Sequence, residues 1–378
     1  MTVPSLPAVS PVVPPAAPPP VRFPLGWLLD HAAPPIQYRA LCDVARLGAS
    51  VSDEVRRLPY TYAPALRLAI AQHSDGTWGD AMLALPNARS DYFEGIGTIT
   101  AARRLSEYGW DRESPPLLRA RRTLFRLLPE DDDPAYLYEL GGRGRIEPEM
   151  VHRGRAVLRE AAAAALAQAG YEGDPRLRGA AKRITERIHE FLSSPLAEKP
   201  WIRVGNKHVL APEARPPSFH ALLMLAYMPL FRSEHYMVLN ELYHYLSQPL
   251  PRQESVQLVG KQAVPQPQLV LGDMLPHRNA LDADVPWALT WLELMARLGF
   301  LGRNEGWSKL FDRMLDDRDA NGVWHPHKGT AVPKSTNPVV WPQYPLEAER
   351  AGEEQRWSDV TFRLGLIARL AGRPIEIM

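Results

Sequence analysis

Four segments of the chain end in the same way, and this recurring ending limits the folds open to the sequence. They are "AARRLSEYGW" (101–110), "AALAQAGY" (164–171), "LMARLGF" (294–300) and "LIARLAG" (366–372), and each closes on glycine. Glycine adopts the left-handed backbone that ends a helix, and an apolar residue just beyond it packs on the last turn. The repeats therefore predict a series of helices that share one kind of C-terminal end.

The third segment shows the repeating unit. In 287–300, polar residues occupy only a narrow stripe of Thr290, Glu293 and Arg297, so the helix is predicted to be buried on most sides. Residues 306–316 follow, with one apolar face and one charged face, which is typical of a half-exposed helix. Strand-like alternation is scarce. We therefore expect an all-α fold in which buried helices form an inner layer and amphipathic helices an outer layer.

Two turns are similar as well. "QHSDGTWG" (72–79) and "DDRDANGVW" (316–324) both place a tryptophan two positions after a glycine, where the indole can pack over the turn. The first turn resembles the glutamine–tryptophan repeat of squalene–hopene cyclases and protein prenyltransferases. "LDADVPWALTWLELMARLGF" (281–300) resembles the Asp-x-Asp-Asp-Thr-Ala segment of the same superfamily. The resemblance implies a single α/α toroid of about ten to twelve helices in two concentric layers.

The toroid is expected to span residues 24–378, after a proline-rich arm at 1–23. The chain has 38 prolines, many of them in this arm, which cannot be helical and should be extended or disordered. An arm of this kind either lies free or straps across a domain or a protein partner.

The resemblance also implies a function. Class II cyclases of the superfamily protonate an isoprenoid with an aspartic acid held uncharged in a dry cavity, and by position Asp284 corresponds to the acid and Asp282 to its partner. Trp287 and Trp291 correspond to an aromatic wall that stabilises a carbocation. His220 and Tyr227, in the apolar run 219–231, are further predicted ligand-binding residues. If the protein is an enzyme, a class II terpene cyclase-like isomerase or lyase is expected.

The sequence departs from the superfamily segment at two positions, so other roles for Asp284 and for the protein stay open. Val285 and Pro286 replace the last aspartate and the threonine of the segment, so one carboxylate is missing. Because proline favours the first turn of a helix and aspartate caps it, Asp284 also fits a structural N-cap. The alternative function is a non-catalytic scaffold, or a subunit of a larger complex, that holds a protein through its N-terminal arm.

Composition limits the remaining choices. Lys and Arg number 44 against 43 Asp and Glu, so nucleic-acid binding is not expected. With Cys42 as the single cysteine, no cysteine-based metal site is expected either. No cofactor is predicted, although His325 and His327 leave a metal site open. The sequence predicts a cytoplasmic protein without a membrane span, and it leaves peripheral membrane contact open.

Overall fold

The computed structural model describes residues 19–48, 50–87, 93–129, 148–276, 284–326, 337–347 and 353–378. Fourteen α-helices lie within these ranges. They are α1 (Leu25–His31), α2 (Pro34–Arg39), α3 (Asp53–Thr61), α4 (Ala63–Ile70), α5 (Thr98–Glu107), α6 (Pro115–Arg126), α7 (Pro148–Gln168), α8 (Pro175–Leu192), α9 (Phe219–Ala226), α10 (Pro229–Glu234), α11 (Tyr236–Leu246), α12 (Val285–Arg297), α13 (Glu305–Asp316) and α14 (Glu353–Leu370). A π-helical turn, Ala40–Val44, continues α2.

Five helices form the buried part of the fold and are called here the inner helices: α5, α7, α9, α12 and α14. Each contacts the next in chain order, from α5 to α7, α9, α12 and α14. Amphipathic helices follow several of them along the chain, and α13 buries Trp307, Leu310 and Phe311 as the sequence predicts. The predicted alternation of buried and half-exposed helices is therefore present in this part of the molecule.

The expectation of an all-α toroid is wrong, because two small sheets bring the described strands to six. One sheet joins β2 (Trp201–Val204), β3 (Lys207–Leu210), β4 (Val256–Val259) and β5 (Gln262–Pro265) in that order. The strands escaped sequence analysis because each is only three or four residues long, too short for an alternating pattern to stand out. The sequence did contain a hairpin signal. In both hairpins a valine is followed by a glycine, Gly205 or Gly260, which occupies the first position of a two-residue turn.

This sheet is fixed to the N-terminal part of α7. The side chain of Gln257 in β4 accepts a hydrogen bond from Arg153 Nη1 at 2.5 Å and donates to the carbonyls of Ala211 and Ala214. Arg153 lies near the start of α7, while the helix continues to Gln168. The sheet is therefore attached far from the C-terminal ends of the inner helices, where the candidate site lies.

The second sheet pairs the two ends of the described chain. β1 (Val21–Phe23) runs parallel to β6 (Ile375–Ile377), with Val21 opposite Ile375 and Phe23 opposite Ile377. Phe23 is 1% exposed. Residues 21–23 of the predicted arm are thus a strand packed on the fold, and residues 1–18 lie outside the described residues.

The two similar turns have equivalent contacts. Trp78 and Trp324 are both buried. The backbone amide of Trp78 donates to Thr98 Oγ1 at 3.0 Å, and that of Trp324 donates to Thr361 Oγ1 at 3.0 Å. Since Thr98 belongs to α5 and Thr361 to α14, each turn is attached to an inner helix, and the predicted packing of tryptophan at these turns is confirmed.

Candidate functional site

The C-terminal ends of the inner helices meet around one cavity of about 370 Å³. Its lining includes the last residues of α5, α7 and α12, together with Tyr227, which ends α9, and leucines from the last turns of α14. These residues are Glu107, Gln168, Arg297, Tyr227, Leu366 and Leu370. Arg39, Asp43 and Ser106 complete it. Helix C-termini carry partial negative charge, which favours the arginines found there.

The glycines predicted from the repeated ending close four of these helices. Gly109, Gly170, Gly299 and Gly372 all have positive φ, between 72° and 86°. After each glycine, the next residue donates its amide to a carbonyl five residues back, as Trp110 does to Leu105 at 3.1 Å. This sharp ending turns the chain away, so that the last side chain of the helix is left beside the cavity.

Glu107 is the most heavily bonded group of the site. Its Oε2 atom accepts from Arg39 Nη1 at 2.5 Å and from Arg363 Nη2 at 2.9 Å. Its Oε1 atom accepts from Gln168 Nε2 at 2.6 Å and from the Tyr227 hydroxyl at 3.3 Å. Burial by itself raises the pKa of Glu107, but the guanidinium groups of Arg39 and Arg363 outweigh it and hold the pKa far below its usual range. Glu107 is therefore ionised.

A second glutamate extends this network. Glu293 accepts from Arg363 Nη1 at 2.6 Å and from Arg297 Nε at 2.9 Å. Burial raises the pKa of Glu293, and Arg363 and Arg297 reverse that effect, so the net shift is downward. We call the residues Arg39, Glu107, Glu293, Arg297 and Arg363 the central ionic cluster. In it, three arginines surround two ionised glutamates.

Arg297 is the member of the central ionic cluster that opens most to the cavity. Its side chain is 15% exposed, against 7% for Arg39 and 2% for Arg363. The guanidinium lies over the Tyr227 ring, 4.3 Å from its centroid, and Nε is occupied by Glu293. Within the described ranges its two Nη amines have no hydrogen-bond partner. Since Arg297 lines the cavity, these donors are available to a ligand bound there.

A second buried carboxyl pair lies elsewhere in the core. Glu347 Oε1 accepts from the Ala33 amide at 2.7 Å and from Ser358 Oγ at 2.8 Å, and Asp359 Oδ2 accepts from the Glu347 amide at 3.0 Å. Neither carboxyl has a hydrogen bond from an arginine among the described residues. Burial raises the pKa of Glu347 to about 7, helped by the neighbouring Asp359, and burial likewise raises the pKa of Asp359.

The predicted catalytic aspartates are placed differently from the expectation. Asp282 lies outside the described residues, and Asp284 is the exposed N-cap residue of α12. Partial burial raises the pKa of Asp284, opposed by the nearby Trp287 amide, but its side chain makes no capping hydrogen bond. Asp284 is therefore not enclosed in a dry cavity, and its catalytic role stays a prediction.

Of the four predicted ligand-binding residues, only Tyr227 is among those that line the cavity. Trp287 packs on Phe219 and donates to the Met274 carbonyl at 2.6 Å. Trp291 is fully buried, with its ring edge-on to Trp307. His220 is buried in the first turn of α9.

The metal site left open at His325 and His327 finds no support in the described part of the chain. His327 lies outside it, and His325 Nε2 pairs with Asp319 Oδ2 at 3.1 Å. Asp319 Oδ1 accepts the amides of Asn321 and Val323, which makes this segment an aspartate-stabilised turn. No group of three or more potential ligands occurs among the described residues.

Sequence analysis missed most of the central ionic cluster. The polar stripe of α12 was recognised, yet Glu293 of that stripe faces inward and is buried. The same holds for Glu107 in α5 and Arg363 in α14. For Glu293 a signal existed, because a charged residue on a helix as apolar as α12 has little solvent-facing surface to occupy.

No family model, no curated protein and no solved structure matches this chain.

The described helices include no candidate for a membrane-spanning segment.

Proposed function

We propose that the protein binds a small molecule that combines an anionic group with an apolar part, in the cavity at the C-terminal ends of the inner helices. The observation that carries this proposal is Arg297, which lines the cavity and whose Nη amines have no hydrogen-bond partner among the described residues, while its Nε is held by Glu293. A guanidinium fixed in this way is suited to a carboxylate or phosphate, which accepts two parallel hydrogen bonds.

The size and lining of the cavity agree with such a ligand. Its volume of about 370 Å³ lies at the lower end of the range of small-molecule sites. Leu366 and Leu370 offer an apolar wall beside the charged one. A ligand with its anionic head at Arg297 and a short hydrocarbon part at the leucines uses both walls.

An isoprenoid diphosphate belongs to this class, and the resemblance to terpenoid cyclases implies an isoprenoid ligand. The proposal does not include catalysis by Asp284. Asp284 and Arg297 lie at opposite ends of α12, about 20 Å apart at 1.5 Å per residue. The scaffold alternative depends on the arm, most of which lies outside the described residues.

Calorimetric titration of the purified protein tests the proposal. Geranyl diphosphate and decanoate are the charged probes, and geraniol and decanol are their uncharged counterparts. We expect binding of at least one charged probe and none of its alcohol. Arg297→Gln should weaken that binding by about tenfold or more, since a hydrogen bond to a charged group contributes about 1.5–3 kcal/mol.

Arg303→Gln is the matched control, because this arginine bonds Asn240 on the surface and does not line the cavity. It should leave the affinity unchanged. Equal binding of acids and alcohols, or an Arg297→Gln variant that binds like the wild type, would contradict the proposal.

A further inference from the structure

Two polar side chains lie deeper in the molecule than the cavity lining, on the same helix faces. Arg103 precedes Glu107 by four residues in α5, which places it on the same face one turn deeper. His220 precedes Tyr227 by seven residues in α9, two turns deeper. Both are buried, Arg103 with 2% and His220 with 7% of its surface exposed.

Among the described residues, no carboxylate is hydrogen-bonded to Arg103. Its Nε atom donates to Gln168 Oε1 at 3.1 Å, and its Nη2 atom is buried without a hydrogen-bond partner in that part of the chain. Glu107, the carboxylate that influences it, already accepts hydrogen bonds from Arg39 and Arg363. A buried guanidinium without its own counter-ion is destabilised by several kcal/mol, so this position favours an added negative charge.

His220 supplies a second unpartnered group beside Arg103. Its Nδ1 atom is buried, and no described residue forms a hydrogen bond with it. Burial and the nearby Arg103 guanidinium lower the pKa of His220 to about 3. The ring is therefore neutral at pH 7 and has one N–H donor to offer.

Gln168 separates this pair from the cavity. It lines the cavity, donates from Nε2 to Glu107 and accepts at Oε1 from Arg103. The same face of α7, one and two turns deeper, carries the small residues Ala164 and Ala161. For a ligand to reach Arg103, the Gln168 side chain has to rotate and release its hydrogen bond with Arg103.

We infer that Arg103 and His220 form a second anchoring point for the ligand of the cavity, so that this ligand carries two linked anionic groups, one at Arg297 and one past Gln168 at Arg103. The inference rests on the proposed function and adds the ligand class: a head with two adjacent anionic groups, such as a diphosphate or a geminal dicarboxylate. A single carboxylate or phosphate fills only the outer position.

Paired probes that differ by one anionic group test the inference. Geranyl diphosphate is compared with geranyl phosphate, and octylmalonate with decanoate, by calorimetric titration. We expect a preference of about tenfold or more for the doubly anionic member of one pair, and that pair identifies phosphate or carboxylate as the head. Arg103→Met should abolish the preference and leave the affinity for the singly anionic member within about twofold.

Nitrogen NMR of the His220 ring gives a readout that needs no variant. The ring signals should shift on addition of the preferred doubly anionic probe and stay in place with its singly anionic counterpart. This measurement also decides the matter if Arg103→Met does not fold.

Two negative results are distinguishable. If singly and doubly anionic probes bind equally, or if the His220 signals do not move, the second anchoring point is wrong while the binding cavity stands. If none of the four probes binds, the proposed function and the inference fall together.

Discussion

The two buried carboxyl pairs of this protein have similar burial, yet their pKa values are shifted in opposite directions. Glu107 and Glu293 are enclosed by arginines and are ionised. Glu347 and Asp359 are held by backbone amides and a serine hydroxyl, and burial raises their pKa values. Burial disfavours ionisation in both places, so the partner decides the outcome: guanidinium groups reverse the effect of burial, whereas neutral donors do not.

The largest effect is expected from removing the arginine shared by the ionised pair. Arg363→Met leaves Glu107 and Glu293 without the guanidinium that bonds both. Breaking a buried ion pair from one side costs about 3–5 kcal/mol, and we expect a loss of this order in the free energy of unfolding, measured in urea at pH 7. Lys309→Met, which removes an exposed pair with Glu305, is the control and should have no measurable effect. If Arg363→Met lowered the free energy of unfolding as little as Lys309→Met does, the contrast between the two carboxyl pairs would be contradicted.

An intermediate effect is expected from the pair with raised pKa values, Glu347 and Asp359, and it depends on pH. The pKa of Glu347 is 4.5 when unperturbed and about 7 in the fold, so between these pH values the unfolded chain has lost a proton that the folded chain keeps. The stability of the wild type should therefore fall as pH rises through this window, by at most about 3 kcal/mol from this group.

The side chain of the Glu347→Gln variant cannot ionise, so this part of the pH dependence should be absent. The free energy of unfolding of the variant should therefore rise relative to that of the wild type from pH 5 to pH 8. Urea denaturation at several pH values measures both slopes. If the free energies of unfolding of the two proteins changed equally with pH, the pKa of Glu347 would not be raised in the fold.

The smallest effect is expected at Arg297. Both Arg297 and Arg363 bond Glu293, but Arg297 does so through its Nε atom alone. Arg297→Gln should lower the free energy of unfolding by about 1.5 kcal/mol, the lower end of the range for one hydrogen bond to a charged group, because the side chain is partly exposed. The same urea experiment measures it beside Arg363→Met. A loss equal to that of Arg363→Met would mean that Arg297 serves the fold rather than a ligand.

Sequence analysis predicted the elements whose signals are local and repeated. The glycine endings, the buried α12, the amphipathic α13 and the two tryptophan turns all depend on residues within a few positions of one another. The strands depend on pairing between segments, such as Leu210 with Gln257, and each is too short to show a period of its own. Their omission produced the wrong all-α expectation.

The candidate site was harder to predict, because its charges lie on separate helices. Glu107 and Arg363 are 256 positions apart, and neither belongs to a local motif. Tyr227 was selected as a neighbour of apolar residues, which is also true of Trp291, yet only Tyr227 lies at a helix end beside the cavity. The direction in which a polar side chain of a buried helix points depends on packing that a single helix does not specify.

The pairing of β1 with β6 bears on the order of events during synthesis. Val21–Phe23 are synthesised long before their partners Ile375–Ile377. Phe23 also packs beside Gly365, where even an added methyl group would fall within 2.3 Å of its ring. The strand therefore has no partner until Ile375–Ile377 have been translated, so this sheet forms late during synthesis.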